Sequence, residues 1–158
     1  MESELENTLA SPEKIGRAKR LEDANGRYIE FLKGTFPKSQ RLDGLKIVID
    51  CANGASYISA PLILWELGAE VIQIATQPNG TNINFECGST NTNKLAKKVL
   101  EEKADIGIAL DGDGDRLAVI DEKGHLVNGD QILALLAIEL SLIHISEPTR
   151  LGMISYAV

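Results

Sequence analysis

The fold is decided by residues 104–121, whose sequence is ADIGIALDGDGDRLAVID. Residues 104–110 form a short aliphatic run of the kind that makes a buried strand. The polar residues DGDGDR follow it, and the apolar run LAVID then begins at residue 117. The second run is predicted to be a strand that pairs antiparallel with a neighbour.

Strands and helices alternate on both sides of this segment. The remaining predicted strands are residues 45–50 (LKIVID) and 71–75 (VIQIA), and the predicted helices are residues 61–67, 92–103 and 130–140. The helix over 92–103 is expected to bury Leu95, Val99 and Leu100, and the helix over 61–67 to end at Gly68. Such alternation predicts an α/β fold, a mostly parallel mixed sheet with helices on its faces.

An amphipathic helix is predicted ahead of the sheet. Its apolar residues recur every three or four positions, at Ile15, Ala18, Leu21, Ala24, Tyr28, Phe31 and Leu32. Gly34 is expected to end this helix, because Pro37 follows closely and cannot continue it.

Composition restricts the classes of function. The 158 residues include 16 Lys and Arg against 23 Asp and Glu, so the formal charge of −7 argues against nucleic-acid and anionic-lipid partners. Cys51 and Cys87 fit neither a disulfide scaffold nor a zinc site, and we expect both to be inert thiols. No apolar run is long enough to cross a bilayer, and the acidic N-terminus is unlike a signal peptide. These features together predict a cytoplasmic protein.

The strongest chemical signal is the loop Asp111–Arg116. Asp111, Asp113 and Asp115 alternate with glycines directly after a predicted strand, so the backbone can curl and bring three carboxylates together around a cation. Hard oxygen ligands favour Mg²⁺, with Mn²⁺ or Ca²⁺ as alternatives. The carboxyl end of a strand is also where open α/β sheets bind ligands.

Several alternatives accompany this interpretation. Arg116 either forms a salt bridge with one of the aspartates or holds a phosphate near the metal. A calcium loop would use Glu122 at its twelfth position but needs glycine where Arg116 stands, and a DxD phosphatase would use the first aspartate as nucleophile. The segment with Asp50, Asn53 and Gly54 either shapes a ligand loop or is a simple Asn-Gly turn.

The motifs resemble the α-D-phosphohexomutase family, and most closely its bacterial amino-sugar branch. The similar segments are LDGDGDR (110–116), IDCANGA (49–55) and PNGTNINFECGST (78–90), and the similarity extends from about residue 8 to about residue 140. The resemblance implies an enzyme that interconverts glucosamine 6-phosphate and glucosamine 1-phosphate through a phosphoserine and a bisphosphorylated sugar, supplying cell-wall precursors. Its substrate would be a phosphorylated amino sugar, and the alternative within the family is its phosphomannomutase/phosphoglucomutase branch.

The resemblance also implies domains and roles. Residues 1–43 would be the end of domain 1 with a linker, including a helix that belongs to that neighbouring domain, and residues 44–140 would be domain 2 of four. Asp111, Asp113 and Asp115 would bind Mg²⁺, and Arg116 would lie beside the phosphoserine as a catalytic residue. The family's phosphorylated serine loop, sugar-binding loop and phosphate-binding loop have no counterpart here.

The C-terminal residues depart from this pattern. Residues 141–158 contain SLIHISEPTR, which is similar to translated sequencing-adaptor sequence. We therefore predict that this segment is a non-native tail without functional weight.

Overall fold

The computed structural model describes residues 11, 14–16 and 21–144, with side chains as far as Glu139. The strands are β1 Lys46–Asp50, β2 Glu70–Ile74, β3 Ile106–Leu110, β4 Leu117–Ile120 and β5 Leu126–Val127. The helices are α1 Ala24–Lys33, α2 Ser59–Glu66, α3 Asn93–Glu102 and α4 Gly129–His144, and a short 3-10 turn covers Ala55–Tyr57.

The five strands form one mixed sheet in the order β2-β1-β3-β4-β5. β1 lies parallel to both β2 and β3, whereas β4 pairs antiparallel with β3 and β5 antiparallel with β4. The predicted α/β class and the antiparallel pairing of residues 117–121 are therefore confirmed.

The topology places helices on both faces of the sheet. The chain crosses from β1 through α2 to β2 on one side, and then from β2 through α3 to β3 on the other side of β1. Because such crossovers are right-handed, two that run in opposite directions cover opposite faces. Residues 47–50 of β1 are accordingly buried. The carboxyl ends of β1 and β3 meet at the point where the crossover direction reverses, the usual ligand position in this architecture.

Helix α1 differs from its prediction in extent and in orientation. It begins at Ala24, and within the expected span residues 15–16 and 21–23 are not helical while 17–20 lie outside the described residues. Tyr28 and Phe31 of the predicted apolar face are 52% and 70% exposed, and Ile29 is buried instead. Lys33, one turn beyond Ile29, forms an ion pair with Glu66 of α2, so the side of α1 that carries Ile29 and Lys33 lies next to α2.

Helix α3 supplies the core on its face of the sheet. Leu95 and Val99 are fully buried, as predicted, and pack with Val48, Ala109 and Ile120. The expectation for Leu100 is wrong, because this side chain is 53% exposed. Leu100 follows Val99 by about 100° around the helix, which directs it away from the sheet and over the turn at Gly124.

Helix α4 follows the sheet as predicted, and it extends to His144, into the segment assigned to the tail. Residues 145–158 of that segment lie outside the described residues. Leu133, Leu135 and Leu136 of this apolar helix are more than half exposed. Among the helices of the described ranges, none has both the length and the apolar content required to cross a membrane.

Candidate metal centre

The aspartate loop lies at the edge of the sheet where β3 ends. Leu110 and Leu117 are direct partners across β3 and β4, so residues 111–116 form a loop closed at its base by strand pairing. Carboxylate oxygens of Asp111, Asp113 and Asp115 all lie within 4.8 Å of one another. The structure thus brings together the three residues that the sequence selects as metal ligands.

Asp111 is the anchor of the loop. Its side chain is buried, and Oδ1 accepts hydrogen bonds from the backbone N–H groups of Gly114 and Arg116, each at 3.1 Å. Oδ2 accepts a hydrogen bond from Nε of Arg116 at 2.8 Å. Loss of hydration opposes ionisation of Asp111, but the hydrogen bonds from Arg116, a hydrogen bond with Asp115 and the charge of Arg116 together outweigh it and lower the pKa to about 2. Asp111 is therefore a carboxylate at neutral pH.

Asp113 and Asp115 are exposed and crowd the same space. A hydrogen bond with Asp111 raises the pKa of Asp115, and the negative charges of Asp111 and Asp113 raise it further. A divalent cation between the carboxylates would offset this repulsion. Since all the converging donors are hard oxygen atoms, the donor set fits Mg²⁺.

Arg116 forms the salt bridge that the sequence left as one of two roles. Besides the contact with Asp111, its Nε lies 3.7 Å from Oδ1 of Asp115. The Arg116 side chain is 60% exposed, so the guanidinium can still be reached from solvent. A guanidinium that pairs with one metal ligand while facing solvent can also contact an anion that binds at the loop.

The EF-hand alternative finds no support in the surroundings of the loop. Strands β3 and β4 flank it, whereas an EF-hand requires helices on both sides. Glu122, the twelfth position of that loop, lies beyond β4 and pairs with Lys123.

Two loops, one after β1 and one after β2, form hydrogen bonds with the backbone of the aspartate loop and with the end of β3. The backbone N–H of Ala55 donates to the carbonyl oxygen of Gly112 at 2.8 Å, and the N–H of Ser89 donates to that of Leu110 at 3.1 Å. Both carbonyl groups are adjacent to Asp111 in sequence. The backbone on each side of this residue is thus held by a different loop.

Asn53 connects these two supporting loops. Its Oδ1 accepts a hydrogen bond from the N–H of Gln77 at 3.0 Å, and its Nδ2 donates to the carbonyl of Asn82 at 3.3 Å. The segment after β1 is therefore more than a simple Asn-Gly turn.

Both cysteines are buried close to this framework, which agrees with the expectation that their thiols are inert. Cys51 is fully buried and Cys87 is 4% exposed. Burial raises the pKa of the Cys51 thiol to about 11, so this thiol stays protonated at neutral pH. Protonated buried thiols are unreactive.

Sequence comparison identifies close relatives. Residues 26–124 match the family described as phosphoglucomutase/phosphomannomutase, alpha/beta/alpha domain II. A phosphoglucosamine mutase of Granulibacter bethesdensis is 63% identical over 137 residues, which are 87% of this chain and 30% of the relative. A phosphoglucosamine mutase of Zymomonas mobilis is 62% identical over 129 residues, or 82% of this chain and 29% of the relative. The chain spans about 30% of the length of these curated relatives.

Solved structures show the same fold. A phosphoglucomutase/phosphomannomutase family protein of Burkholderia thailandensis aligns with a TM-score of 0.65 and 29% identity over 76% of this chain and 26% of its own. A putative phosphomannomutase of Thermus thermophilus also gives 0.65, at 21% identity, over 81% of this chain and 30% of its own. The chain belongs to the phosphoglucomutase/phosphomannomutase family and contains its alpha/beta/alpha domain II.

Proposed function

We propose that this chain carries the metal-binding domain of a phosphoglucosamine mutase. The complete protein would interconvert glucosamine 6-phosphate and glucosamine 1-phosphate through a phosphoserine and a bisphosphorylated sugar. The observation that carries the proposal is the convergence of three carboxylates at the carboxyl end of β3, where the crossover direction reverses. The domain that contains them is shared with relatives named phosphoglucosamine mutase. In the domain boundaries that we propose, residues 1–43 end domain 1, residues 44–140 form domain 2 and residues 141–158 are non-native.

Each residue of the loop has a distinct role in this proposal. Asp111, Asp113 and Asp115 would hold Mg²⁺, and the bound metal would supply Lewis-acid chemistry for phosphate transfer. Arg116 would contact the same phosphate while its pairing with Asp111 fixes the side chain's direction. We further propose a phosphorylated amino sugar as substrate, which the names of the relatives support, and the cytoplasm as location, which the two free cysteines support.

The substrate proposal predicts a clear preference among sugar phosphates. The full-length product of the gene is expected to turn over glucosamine 1-phosphate in preference to mannose 1-phosphate and glucose 1-phosphate. Comparison of kcat/KM for the three compounds measures this preference. A preference for mannose 1-phosphate would reject the assignment to the amino-sugar branch.

The 158-residue chain by itself is expected to show no mutase turnover. Phosphoryl transfer depends on groups positioned around the phosphorus atom, and the phosphoserine loop of the family has no counterpart in this sequence. A coupled assay of the purified chain with glucosamine 1-phosphate and a bisphosphorylated sugar tests this. Turnover that persists after host mutase has been excluded would contradict the prediction.

A further inference from the structure

Asp50 is a buried carboxyl group to which the proposed mechanism gives no role. It ends β1 and its exposure is 0%. Burial raises its pKa, while hydrogen bonds from the backbone of Gly88 and Ala52 act in the opposite direction. Burying a carboxyl group costs free energy unless hydrogen bonds replace the water molecules that it loses. The groups that donate hydrogen bonds to Asp50 therefore indicate its role.

Both oxygens of Asp50 accept backbone hydrogen bonds, and the two donors belong to different loops. Oδ1 accepts from the N–H of Ala52 at 2.8 Å, in the loop after β1. Oδ2 accepts from the N–H of Gly88 at 2.9 Å, in the loop after β2. One side chain thus joins the two loops that support the aspartate loop.

The backbone of the two donor residues, Ala52 and Gly88, is tightly constrained. Ala52 has φ of 53° and Gly88 has φ of 80°, both in the left-handed region. A side chain at Gly88 would meet the Cβ of Ala52 and the carbonyl oxygen of Leu110, each at 2.8 Å. For alanine a positive φ is unfavourable, so it persists only where the surroundings hold it. The hydrogen bond to Asp50 is one of the contacts that hold it.

Each loop passes from the Asp50 junction directly to the metal loop. On one side, the chain runs from Ala52 to Ala55, whose N–H binds the carbonyl of Gly112. On the other side, Gly88 is followed by Ser89, whose N–H binds the carbonyl of Leu110. The two paths therefore end on the residues immediately before and after Asp111.

We propose that Asp50 is a positioning residue, which fixes the backbone on both sides of Asp111 and so sets the geometry of the three metal-binding carboxylates. It acts through Ala52 and Gly88 and is not one of the three carboxylates that converge in the aspartate loop. This inference rests on the proposed metal site for its effect on Mg²⁺, but its effect on the loop is independent of any metal.

The test is the variant Asp50→Asn in the 158-residue chain. The amide keeps one acceptor oxygen but presents an N–H₂ group to the second backbone donor, so one of the two hydrogen bonds, to Ala52 or to Gly88, is lost. We expect Mg²⁺ affinity, measured by isothermal titration calorimetry, to fall about tenfold, the lower end of what losing a residue behind the metal ligands costs. In ¹H–¹⁵N spectra of the metal-free variant, we expect the amides of Gly114 and Arg116 to shift.

The control variant Val99→Ala separates positioning from loss of stability. Val99 is fully buried in the core beside Gly107 and forms no part of the two paths. Its truncation is expected to destabilise the fold while leaving Mg²⁺ affinity and the Gly114 and Arg116 amides unchanged at a temperature where both variants are folded. Unchanged loop amides in Asp50→Asn, or equal changes in the two variants, would overturn the proposal.

A measurement on the unmodified chain covers the case in which Asp50→Asn fails to fold. Coupling between two sites is reciprocal, so Mg²⁺ added to the unmodified chain should shift the amides of Ala52 and Gly88. Their constancy while the loop amides respond would also refute positioning by Asp50. If the unmodified chain shows no Mg²⁺ binding, the proposed metal site fails, and the metal-free spectra of the variant still decide the role of Asp50.

Discussion

Replacing Gly54 with alanine is expected to lower the free energy of unfolding by about 3 kcal/mol, at the upper end of the cost of overpacking. The added methyl group would lie 2.6 Å from the Cα of Gly112 and closer still to its carbonyl oxygen. These are backbone atoms, so no side-chain rotation can relieve the clash. The hydrogen bond from Ala55 to Gly112 must then lengthen or break.

Urea denaturation followed by circular dichroism measures this effect, and Gly129→Ala is the matched control. A methyl group added at Gly129 meets no atom within 4 Å, so its effect should stay within about 0.5 kcal/mol. A small domain has a total stability of only about 5–15 kcal/mol, so the expected loss at Gly54 is readily observed. Equal stability of the two variants would show that the loops after β1 and β3 do not approach each other this closely.

Asp113→Asn is expected to weaken Mg²⁺ binding by about thirtyfold. The exchange removes one negative charge with little change in shape. Even in water, two unit charges about 4 Å apart interact by about 1 kcal/mol, so a divalent ion loses about 2 kcal/mol, which corresponds to that factor. The unmodified chain should itself bind Mg²⁺ weakly, because Mg²⁺ gives up its water reluctantly and usually takes ligands from phosphates.

Isothermal titration calorimetry with Glu122→Gln as control makes this measurement specific. Glu122→Gln removes the same charge from the residue that a calcium loop would use at its twelfth position, and the structure places it beyond β4. Its Mg²⁺ affinity should equal that of the unmodified chain. Equal affinity of Asp113→Asn and the unmodified chain would mean that the aspartate loop is not the metal site.

The positions of the first four strands and the candidate ligands could be predicted because both are local in sequence, whereas the two-residue strand β5 was not predicted. Each strand is a short aliphatic run, and the three aspartates lie within one loop, so their convergence follows from the glycines between them. The side of a helix that becomes buried was less predictable. Ile29 and Leu100 show this, because contacts with α2 and with the sheet decide which side each helix turns inwards.

The junction at Asp50 could not be predicted from sequence. Its two donors, Ala52 and Gly88, come from loops after different strands, and they meet only when β1, β2 and β3 lie side by side. The pattern Asp50-Cys-Ala-Asn-Gly54 does indicate a turn at this place. Nothing in it shows that the aspartate side chain faces inwards and reaches a residue in the next loop.

The pairing of Leu110 with Leu117 restricts the length of the aspartate loop, because it fixes both ends of residues 111–116. An additional residue could not be accommodated by sliding β4 along β3. A shift by one position would turn Ala118 and Ile120 out of the core and bring Leu117 and Val119 in. In the loop that joins β3 and β4, evolution can therefore substitute one residue for another far more easily than it can insert or delete a residue.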